Sequence, residues 1–314
     1  MNKQIKIFLA GHRGLVGSAI LKRLEAEGYT NLLLRTHAQL DLTRQAEVEA
    51  FFEKERPEMV VLAAAKVGGI VANSTYPADF LFENLAIAQN VIHSAYLTGV
   101  KKLINLGSSC IYPRMAPQPL KEEYLLTGPL EVTNEAYAVA KIAAIRLCKH
   151  FNDQYGTNFI SAMPTNLYGP GDNYDLKNSH VLPAMIRKFH EGKVGGEPVV
   201  LWGDGSPLRE FLYSEDLADA VVFLLENKNY SEIGEFINVG SGKEISIRDL
   251  AGLVSRVVGY TGKVQWDTSK PNGTPRKLMD SQRLFNLGWT PHVDLEEGLK
   301  RVYQDFLKLE KSQK

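Results

Sequence analysis

The chain has little cysteine, no net charge and no long apolar stretch. Only two of its 314 residues are cysteines, Cys110 and Cys148, and a chain of this length can bury a large core without disulfides. We therefore expect a reducing, cytoplasmic setting. Lys and Arg total 36, and Asp and Glu also total 36, so no overall field recruits nucleic acid or an acidic membrane surface. An anionic ligand must then be held by local cations.

The sequence also lacks segments typical of membrane spans, leaders or metal sites. No uncharged run approaches the length that crosses a bilayer, and the opening MNKQIKIFLAG enters a strand pattern directly, without a cleavage site. Histidines, cysteines and carboxylates form no cluster with metal-ligand spacing. We expect an unprocessed protein that binds no membrane, no nucleic acid and no metal.

What the sequence does have is a regular alternation of apolar runs and helical periods. The apolar runs have the composition of buried strands, and the segments between them repeat apolar residues at helical spacing. This alternation predicts an α/β fold with a Rossmann-type doubly wound parallel sheet. The predicted strands are 5–10, 31–36, 59–65, 102–109 and 158–166, and the predicted helices are 18–28, 45–53, 76–98 and 135–155.

The alternation breaks up after Tyr168, where turn residues become frequent. We predict a dinucleotide-binding domain over residues 1–170, to which residues 212–241 return as an amphipathic helix and a strand. A smaller, discontinuous C-terminal lobe, formed by residues 171–211 and 242–314, is predicted to bind the substrate.

A glycine-rich segment, GHRGLVG, joins the first predicted strand to the first helix. Its glycines, Gly11, Gly14 and Gly17, stand three apart, whereas most dehydrogenases have G-x-G-x-x-G. Glycine suits such a junction because a tight turn needs positive φ and because a pyrophosphate must approach backbone N–H groups at a helix N-terminus. The segment predicts a dinucleotide site, with a plain tight turn as the alternative.

The cations near this segment favour NADP(H). Arg35 ends the second predicted strand, where NAD-specific proteins usually carry an acidic residue for the ribose, and Arg13 lies inside the glycine loop. Two guanidiniums suit a 2′-phosphate, although either could be a surface arginine. Asp41 and Leu42 could contact the adenine or form a structural turn.

A tyrosine and a lysine stand four residues apart in EAYAVAK. This spacing places Tyr137 and Lys141 on one face of a predicted helix. An ammonium beside a phenol favours the phenolate, so we expect the pKa of Tyr137 to move toward neutrality. Such a pair suits the reduction of a ketone.

Taken together, these segments resemble the extended short-chain dehydrogenase/reductases over nearly the whole chain. The Tyr and Lys pair is common to a very large superfamily. The segments GSSCIYP and NSHVLPA are specific to the members that epimerise and reduce GDP-4-keto-6-deoxy-D-mannose. The motifs that carry the resemblance are GHRGLVG, LAAAKVGGI, LGSSCIYP, TNEAYAVAK, MPTNLYGP, NSHVLPA and KPNGTPRK.

The resemblance implies a reducing triad. Ser108 would hydrogen-bond the substrate carbonyl, Tyr137 would give it a proton, and Lys141 would tune the tyrosine and bind the nicotinamide ribose. A serine hydroxyl and a phenol can meet the negative charge that develops on the ketone oxygen. Chemistry alone leaves open whether Ser108 or Ser109 faces the substrate, and the family pattern favours Ser108.

The resemblance also implies a pair for epimerisation, with Cys110 as base and His180 as acid at carbons 3 and 5. Inverting a carbon beside a ketone requires one group to remove its proton and another to deliver one from the opposite face. A small buried hydrophobe is the alternative for Cys110 and a helix-start residue the alternative for His180. We assign Cys148 to a purely structural place.

Further cofactor contacts are implied along the carboxyl edge of the sheet. His12 is included as part of the glycine loop, although its side chain, like that of His37, is expected at the surface. The implied cofactor contacts are Gly11, His12, Arg13, Gly14, Leu15, Val16, Gly17, Arg35, Thr36, Asp41, Leu42, Leu106, Gly107, Lys141, Pro164, Thr165, Asn166, Leu167 and His180.

For the substrate, a GDP-linked keto-deoxy sugar, cations and an aromatic plane are needed. The resemblance implies contacts from Lys188, Trp202, Arg209 and Asp280, in segments that also include Lys277. The alternatives are a solvated lysine, a tryptophan in the core, and an arginine paired with a neighbouring carboxylate.

The activity implied is NADPH-dependent epimerisation at carbons 3 and 5 followed by reduction at carbon 4. Another nucleotide-sugar enzyme of this fold, such as a 4-epimerase that retains its cofactor, is the alternative, and a non-catalytic NADP-sensing module is a more distant one. The helices near 83–98 and 135–155 resemble a pair that forms a homodimer, although intramolecular packing would explain the same apolar spacing.

Overall fold

The computed structural model describes residues 1–176, 179–270 and 272–312. The NSHVLPA motif begins at residue 178, which lies outside the described residues. A six-stranded parallel sheet is the centre of the fold, which confirms the predicted α/β class. In spatial order its strands are β2 (Leu32–Leu33), β1 (Ile7–Ala10), β3 (Met59–Leu62), β4 (Lys102–Leu106), β5 (Phe159–Pro164) and β9 (Ile237–Val239).

Helices cover both faces of this sheet, because successive side chains of each buried strand point to opposite sides. From β1, Ile7 and Leu9 pack into one core with α1 and α7, whereas Phe8 and Ala10 pack into another with α2, α4 and α5. The helices of this part are α1 (Leu15–Ala26), α2 (Gln45–Glu55), α3 (Ile70–Thr75), α4 (Pro77–Leu97), α5 (Glu135–Tyr155), α7 (Ser214–Asn227), α8 (Tyr230–Ile233) and α10 (Gln282–Asn286).

The strand order places a crevice beside the glycine loop. β1 lies between β2 and β3, so the chain leaves β1 toward one side of the sheet and later returns to its other side. Ligands of doubly wound sheets bind at such a switch point, beyond the carboxyl ends of the strands. Gly11 follows β1 and packs against the backbone of Ala63 and Ala64, which follow β3.

The remaining elements gather around a separate apolar core. They begin near residue 166 and include the C-terminal helix. This grouping supports the predicted substrate lobe, whose boundaries stay a prediction. Its elements are β6 (Asn166–Tyr168), α6 (Val181–Gly195), β7 (Val199–Trp202), β8 (Leu208–Tyr213), β10 (Glu244–Ser246), α9 (Ile247–Val258), β11 (Val264–Asp267), β12 (Arg276–Lys277) and α11 (Leu295–Ser312).

Several element predictions were wrong in extent. The strands predicted over 59–65 and 102–109 end at Leu62 and Leu106. The strand predicted over 31–36 is only Leu32–Leu33, so Arg35 and Thr36 lie in the loop beyond it. The helix predicted from residue 212 begins at Ser214, because the residues before it form β8. Within the described part of the chain, no helix is long and apolar enough to cross a membrane.

Candidate active site

In the glycine loop, the backbone passes very close to other backbone segments. Gly11 has a φ of +90°, and a Cβ there would lie 2.7 Å from the Ala64 nitrogen. A Cβ on Gly17 would lie 2.0 Å from the Gly11 carbonyl oxygen. Gly14 precedes α1, which begins without a side-chain cap or an acidic residue in its first turn. The first N–H groups of α1 are therefore available to an anion, as a pyrophosphate site requires.

The two other polar residues of this loop differ in exposure. Arg13 is exposed. His12 is half-buried, and its Nδ1 is shielded from solvent without a hydrogen-bond partner, so its expected place at the surface was wrong. Burial, followed by the neighbouring Arg13, lowers the pKa of His12. A neutral imidazole at this position leaves the positive charge of the loop to Arg13.

The second predicted arginine is already engaged within the protein. Arg35 Nη2 lies 2.8 Å from Glu55 Oε1, and its guanidinium carbon lies 5.3 Å from the centre of the Phe51 ring. Asp41 accepts hydrogen bonds from the backbone and hydroxyl of Thr43, and these bonds lower the pKa of Asp41. Asp41 thus forms the structural turn that the sequence left open.

Several further predicted cofactor residues lie at or just beyond the carboxyl ends of β4 and β5, whereas Lys141 lies on α5 and His180 immediately precedes α6. Gly107 follows β4, and a Cβ there would lie 2.1 Å from Met163 Sδ. Thr165 donates its N–H to the Val239 carbonyl at 3.1 Å, and Asn166 donates Nδ2–H to the Glu210 carbonyl at 2.8 Å. This edge also carries the Ser108 and Cys110 segment, so cofactor and substrate chemistry share one side of the sheet.

The predicted triad comes together around Ser108. Ser108 is half-buried at the end of β4, whereas Ser109 is buried, 4% exposed. Ser108 Oγ accepts the Cys110 N–H at 3.4 Å. Hydrogen bonding by the Ser108 hydroxyl also opposes the rise in the pKa of both the Tyr137 phenol and the Cys110 thiol. This coupling favours Ser108 as the hydroxyl that faces these two groups.

The expected effect of Lys141 on Tyr137 was wrong in this geometry. Lys141 Nζ lies 5.7 Å from the centre of the Tyr137 ring and donates a 2.9 Å hydrogen bond to the Leu106 carbonyl. Burial, reinforced by the Cys110 thiol, raises the pKa of Tyr137 well above its ordinary value. Burial lowers the pKa of Lys141 to about 8. Burial therefore sets the direction of this shift, and Tyr137 keeps its proton.

The thiol predicted as the base lies at the floor of the site. Cys110 is the second residue of a short 3-10 helix, Ser109–Ile111, and is 7% exposed. Burial raises the pKa of Cys110, whereas Lys277, the Ser108 hydroxyl and Lys141 all oppose that rise. Cys148, in contrast, is fully buried within the core on α5, as predicted for a structural residue.

The second predicted proton carrier, His180, lies at the start of the substrate lobe's first helix. It immediately precedes α6, and its side chain is exposed. The protein atoms packed around the ring, followed by Lys277, lower the pKa of His180. Lys277 is thus electrostatically coupled to both predicted proton carriers.

A small cavity brings Lys277 and Cys110 to one surface. The cations around it are mostly neutralised: Arg114 pairs with Glu131 at 3.4 Å, and Arg276 pairs with Glu244 at 2.8 Å. The lining residues include Ser109, Cys110, Arg114, Gln118, Glu131, Asn134, Arg276 and Lys277.

A buried carboxylate that the sequence did not single out organises this region. Glu210 on β8 is fully buried and accepts hydrogen bonds from the N–H groups of Met279, at 2.9 Å, and Gly242, at 2.7 Å. A charged residue inside the apolar β8 run was the available signal. Glu210 ties β8 to the segment after β12, and its neighbour Arg209 is half-buried and pairs with neither Glu210 nor Asp216.

The other predicted substrate residues differ in availability. Trp202 is 59% exposed, with Lys270 Nζ 5.8 Å from the centre of its ring, so it does not belong to the core. Lys188 donates a 2.9 Å hydrogen bond to the Val200 carbonyl. Asp280 accepts the Gln282 N–H at 3.0 Å at the start of α10, which gives its carboxylate a local structural partner. Among the described residues, no group of three or more histidines, cysteines and carboxylates could hold a metal ion.

Comparison with known proteins agrees with this geometry. The chain is 63% identical to GDP-L-fucose synthase 1 of Arabidopsis thaliana, over 98% of this chain and 94% of that protein. It is 52% identical to GDP-L-fucose synthase of Escherichia coli K12, over 98% of each. The solved structure of MlghC, a GDP-mannoheptose C4 reductase from Campylobacter jejuni with NADP bound, superimposes with a TM-score of 0.92 at 39% identity, over 98% of this chain and 99% of that one.

A family match covers most of the cofactor-binding part. Residues 7–240 match the NAD dependent epimerase/dehydratase family. This range contains the glycine loop, the Ser108 to Lys141 constellation and His180. The chain is therefore a member of the NAD dependent epimerase/dehydratase family.

Proposed function

We propose that this protein is an NADPH-dependent enzyme that epimerises GDP-4-keto-6-deoxy-D-mannose at carbons 3 and 5 and reduces carbon 4, giving GDP-L-fucose. The observation that carries the proposal is the coupling of Ser108 to two other site groups: its hydroxyl opposes the rise in the pKa of both the Tyr137 phenol and the Cys110 thiol, and its Oγ accepts the Cys110 N–H. The full-length identity of 63% to a protein named GDP-L-fucose synthase 1 supports the choice of substrate.

The residues present fit a dinucleotide at the glycine loop. The close contacts at Gly11 and Gly17 leave no room for a Cβ, and the uncapped start of α1 offers N–H groups to a pyrophosphate. Arg13 is an exposed cation available to a 2′-phosphate. Arg35 would also bind this phosphate while its guanidinium stays paired with Glu55. When bound, NADPH supplies the hydride for the ketone carbon.

In the reduction, Tyr137 serves as the general acid. Its raised pKa keeps the phenol protonated until negative charge develops on the ketone oxygen. The O–H bond of Tyr137 then breaks as the new O–H bond of the sugar forms, and Ser108 donates a hydrogen bond to the same oxygen. Lys141, whose pKa is lowered to about 8, lies where it can restore the tyrosine proton.

In each epimerisation, Cys110 and His180 act from opposite faces of the ring. The Cys110 thiolate removes the proton beside the ketone, and the electron pair of that C–H bond moves into an enolate held by Ser108 and Tyr137. His180 delivers a proton to the other face of the same carbon, which inverts it. The coupling of both groups to Lys277 supports their placement around one substrate.

The diphosphate and base of the substrate would lie along β7, β8 and α6. Arg209 has no carboxylate partner among the described residues and is suited to the diphosphate. Trp202 offers an exposed aromatic plane, and Lys188 lies beside the same strand. Asp280, which follows β12, is the fourth proposed substrate contact.

Stoichiometry tests the proposal against its alternatives. Purified protein is mixed with a limiting amount of the keto-sugar and NADPH, and absorbance at the nicotinamide band is followed. We expect about one NADPH to be oxidised per sugar, because the hydride remains on the product. A 4-epimerase or an NADP-sensing module would consume none, and that result would reject the proposal.

The configuration of the product distinguishes the proposed activity from that of a reductase that does not epimerise. The similarity to a C4 reductase favours this second candidate. A reductase alone would also oxidise NADPH but would return a sugar with unchanged carbons 3 and 5. Nuclear magnetic resonance of the product assigns both centres. We expect both to be inverted.

We also infer a homodimer and a reducing, cytoplasmic setting. Exposed apolar side chains on α4 and α5, including Phe82, Leu97 and Val139, support a shared helical interface. Both cysteines are free thiols, and a thiol base requires a reduced sulfur.

A further inference from the structure

Lys277 is a half-buried cation without a counterion. It lies on β12, in parallel register with Arg209 on β8, and neither side chain forms an ion pair with any residue that the structure describes. A buried ammonium without a partner is costly, and such groups concentrate at functional sites. The position of Lys277 is fixed, because Glu210 holds Met279 and the Leu120 segment holds Leu278 and Asp280.

The surroundings of Lys277 single out Cys110. Both side chains line the same small cavity. The other charges of that cavity, on Arg114 and Arg276, are compensated by Glu131 and Glu244. Lys277 therefore supplies the uncompensated positive charge on this side of the thiol.

On the proposed function above, we propose that the Lys277 ammonium holds Cys110 as the thiolate that removes the substrate proton, and that Lys277 is thus a positioning residue for epimerisation.

Physical chemistry explains why the thiol needs this help. Burial opposes the thiolate, and Tyr137 carries no positive charge to offset it. Lys141 also lowers the pKa of Cys110, but less than Lys277 does, and its ammonium is hydrogen-bonded to the Leu106 carbonyl. An opposite charge within about 4–6 Å moves an acid's titration by one to three pH units. Among the charges that lower the pKa of Cys110, that of Lys277 has the largest effect.

The test is a thiolate titration of the intact protein without substrate. Absorbance near 240 nm is recorded against pH, and subtraction of the Cys110→Ser titration isolates the Cys110 signal. Cys148 does not interfere, since burial raises the pKa of Cys148 to about 12. In Lys277→Met we expect the Cys110 midpoint to move up by about one pH unit. Lys277→Arg should keep it near the native position, and exposed Lys243→Met is the matched control.

A second readout separates this role from phosphate binding. At neutral pH we expect Lys277→Met to slow solvent deuterium entry into the sugar about tenfold, in step with the lost thiolate. An unchanged thiol midpoint in Lys277→Met, with a raised KM alone, would overturn the proposal in favour of diphosphate binding. Because the titration uses no substrate, failure of the proposed function itself would show separately, as absent NADPH oxidation in the native protein.

Discussion

At the scale of single residues, burial decides which group holds a proton. Tyr137 and Lys141 are each electrostatically coupled to Cys110, and burial favours the neutral form of all three side chains. The phenol is thereby kept as an acid, whereas the thiol must be helped to become a base. A cation near Cys110 would therefore favour the thiolate that the base requires.

The two cysteines provide a matched pair of variants. Cys110→Ser should abolish deuterium incorporation at the ring carbons while NADPH binding persists, because the hydroxyl is a far weaker base at neutral pH. Cys148→Ala should retain incorporation and lose stability instead, since it removes a fully buried side chain from the core. Mass spectrometry of the sugar and cofactor titration measure the two effects. Unchanged incorporation in Cys110→Ser would remove Cys110 from the mechanism.

The sequence was sufficient to predict the residue types of the site but not their partners. Ser108, Tyr137 and Cys110 could be named from motifs, and the structure brings them together. The pairing of Arg35 with Glu55 and the role of Glu210 depend on contacts between distant segments. No local pattern encodes such contacts.

At the scale of elements, the junction of β1 and α1 leaves the least freedom. In Gly17→Ala the added methyl would clash with the Gly11 carbonyl oxygen, 2.0 Å from the Cβ position, and would push the loop out of shape. We expect NADPH affinity to fall about tenfold or more, measured by fluorescence titration. Gly252→Ala is the control, because a Cβ on that exposed helical glycine would meet only the end of the Arg256 side chain, at 4.0 Å, and it should be neutral or stabilising by up to about 1 kcal/mol. Equal affinity of Gly17→Ala and native protein would contradict the assigned cofactor loop.

A lysine on a neighbouring strand caps the C-terminal end of α7. Lys102 on β4 is buried, 5% exposed, and donates to the carbonyls of Leu224, Leu225 and Lys228. Lys102→Met should remove the ammonium donor from all three carbonyls, of which that of Leu224 also accepts the Lys228 N–H. We expect the free energy of unfolding to fall by about 1–3 kcal/mol, as measured by urea denaturation. Exposed Lys121→Met serves as the control. A loss no larger than that of the control would show that α7 does not depend on this cap.

Element prediction succeeded where apolar runs were long and failed at the sheet edge. The strands after residues 59, 102 and 158 have fully buried patterns. The predicted strand over 31–36 pairs on one side only, and just Leu32–Leu33 retain that pairing. An edge strand gains little from burial, so its extent depends on tertiary contacts that the sequence does not show.

At the scale of the whole molecule, the exposed apolar residues of α4 and α5 require an explanation. Phe82 is 69% exposed, and Phe82→Glu should convert the inferred dimer to a monomer in sedimentation velocity runs. Val194→Glu, at a 72% exposed position on α6, should leave the association state unchanged. A native protein that sediments as a monomer at working concentration would contradict the dimer.

We propose that one cleft carries both proton exchange and hydride transfer. The reaction is run in deuterated water with unlabelled NADPH, and deuterium in the product is located by nuclear magnetic resonance. We expect deuterium at carbons 3 and 5, and protium from the cofactor at carbon 4. A reduced sugar that retains protium at carbons 3 and 5 would contradict it.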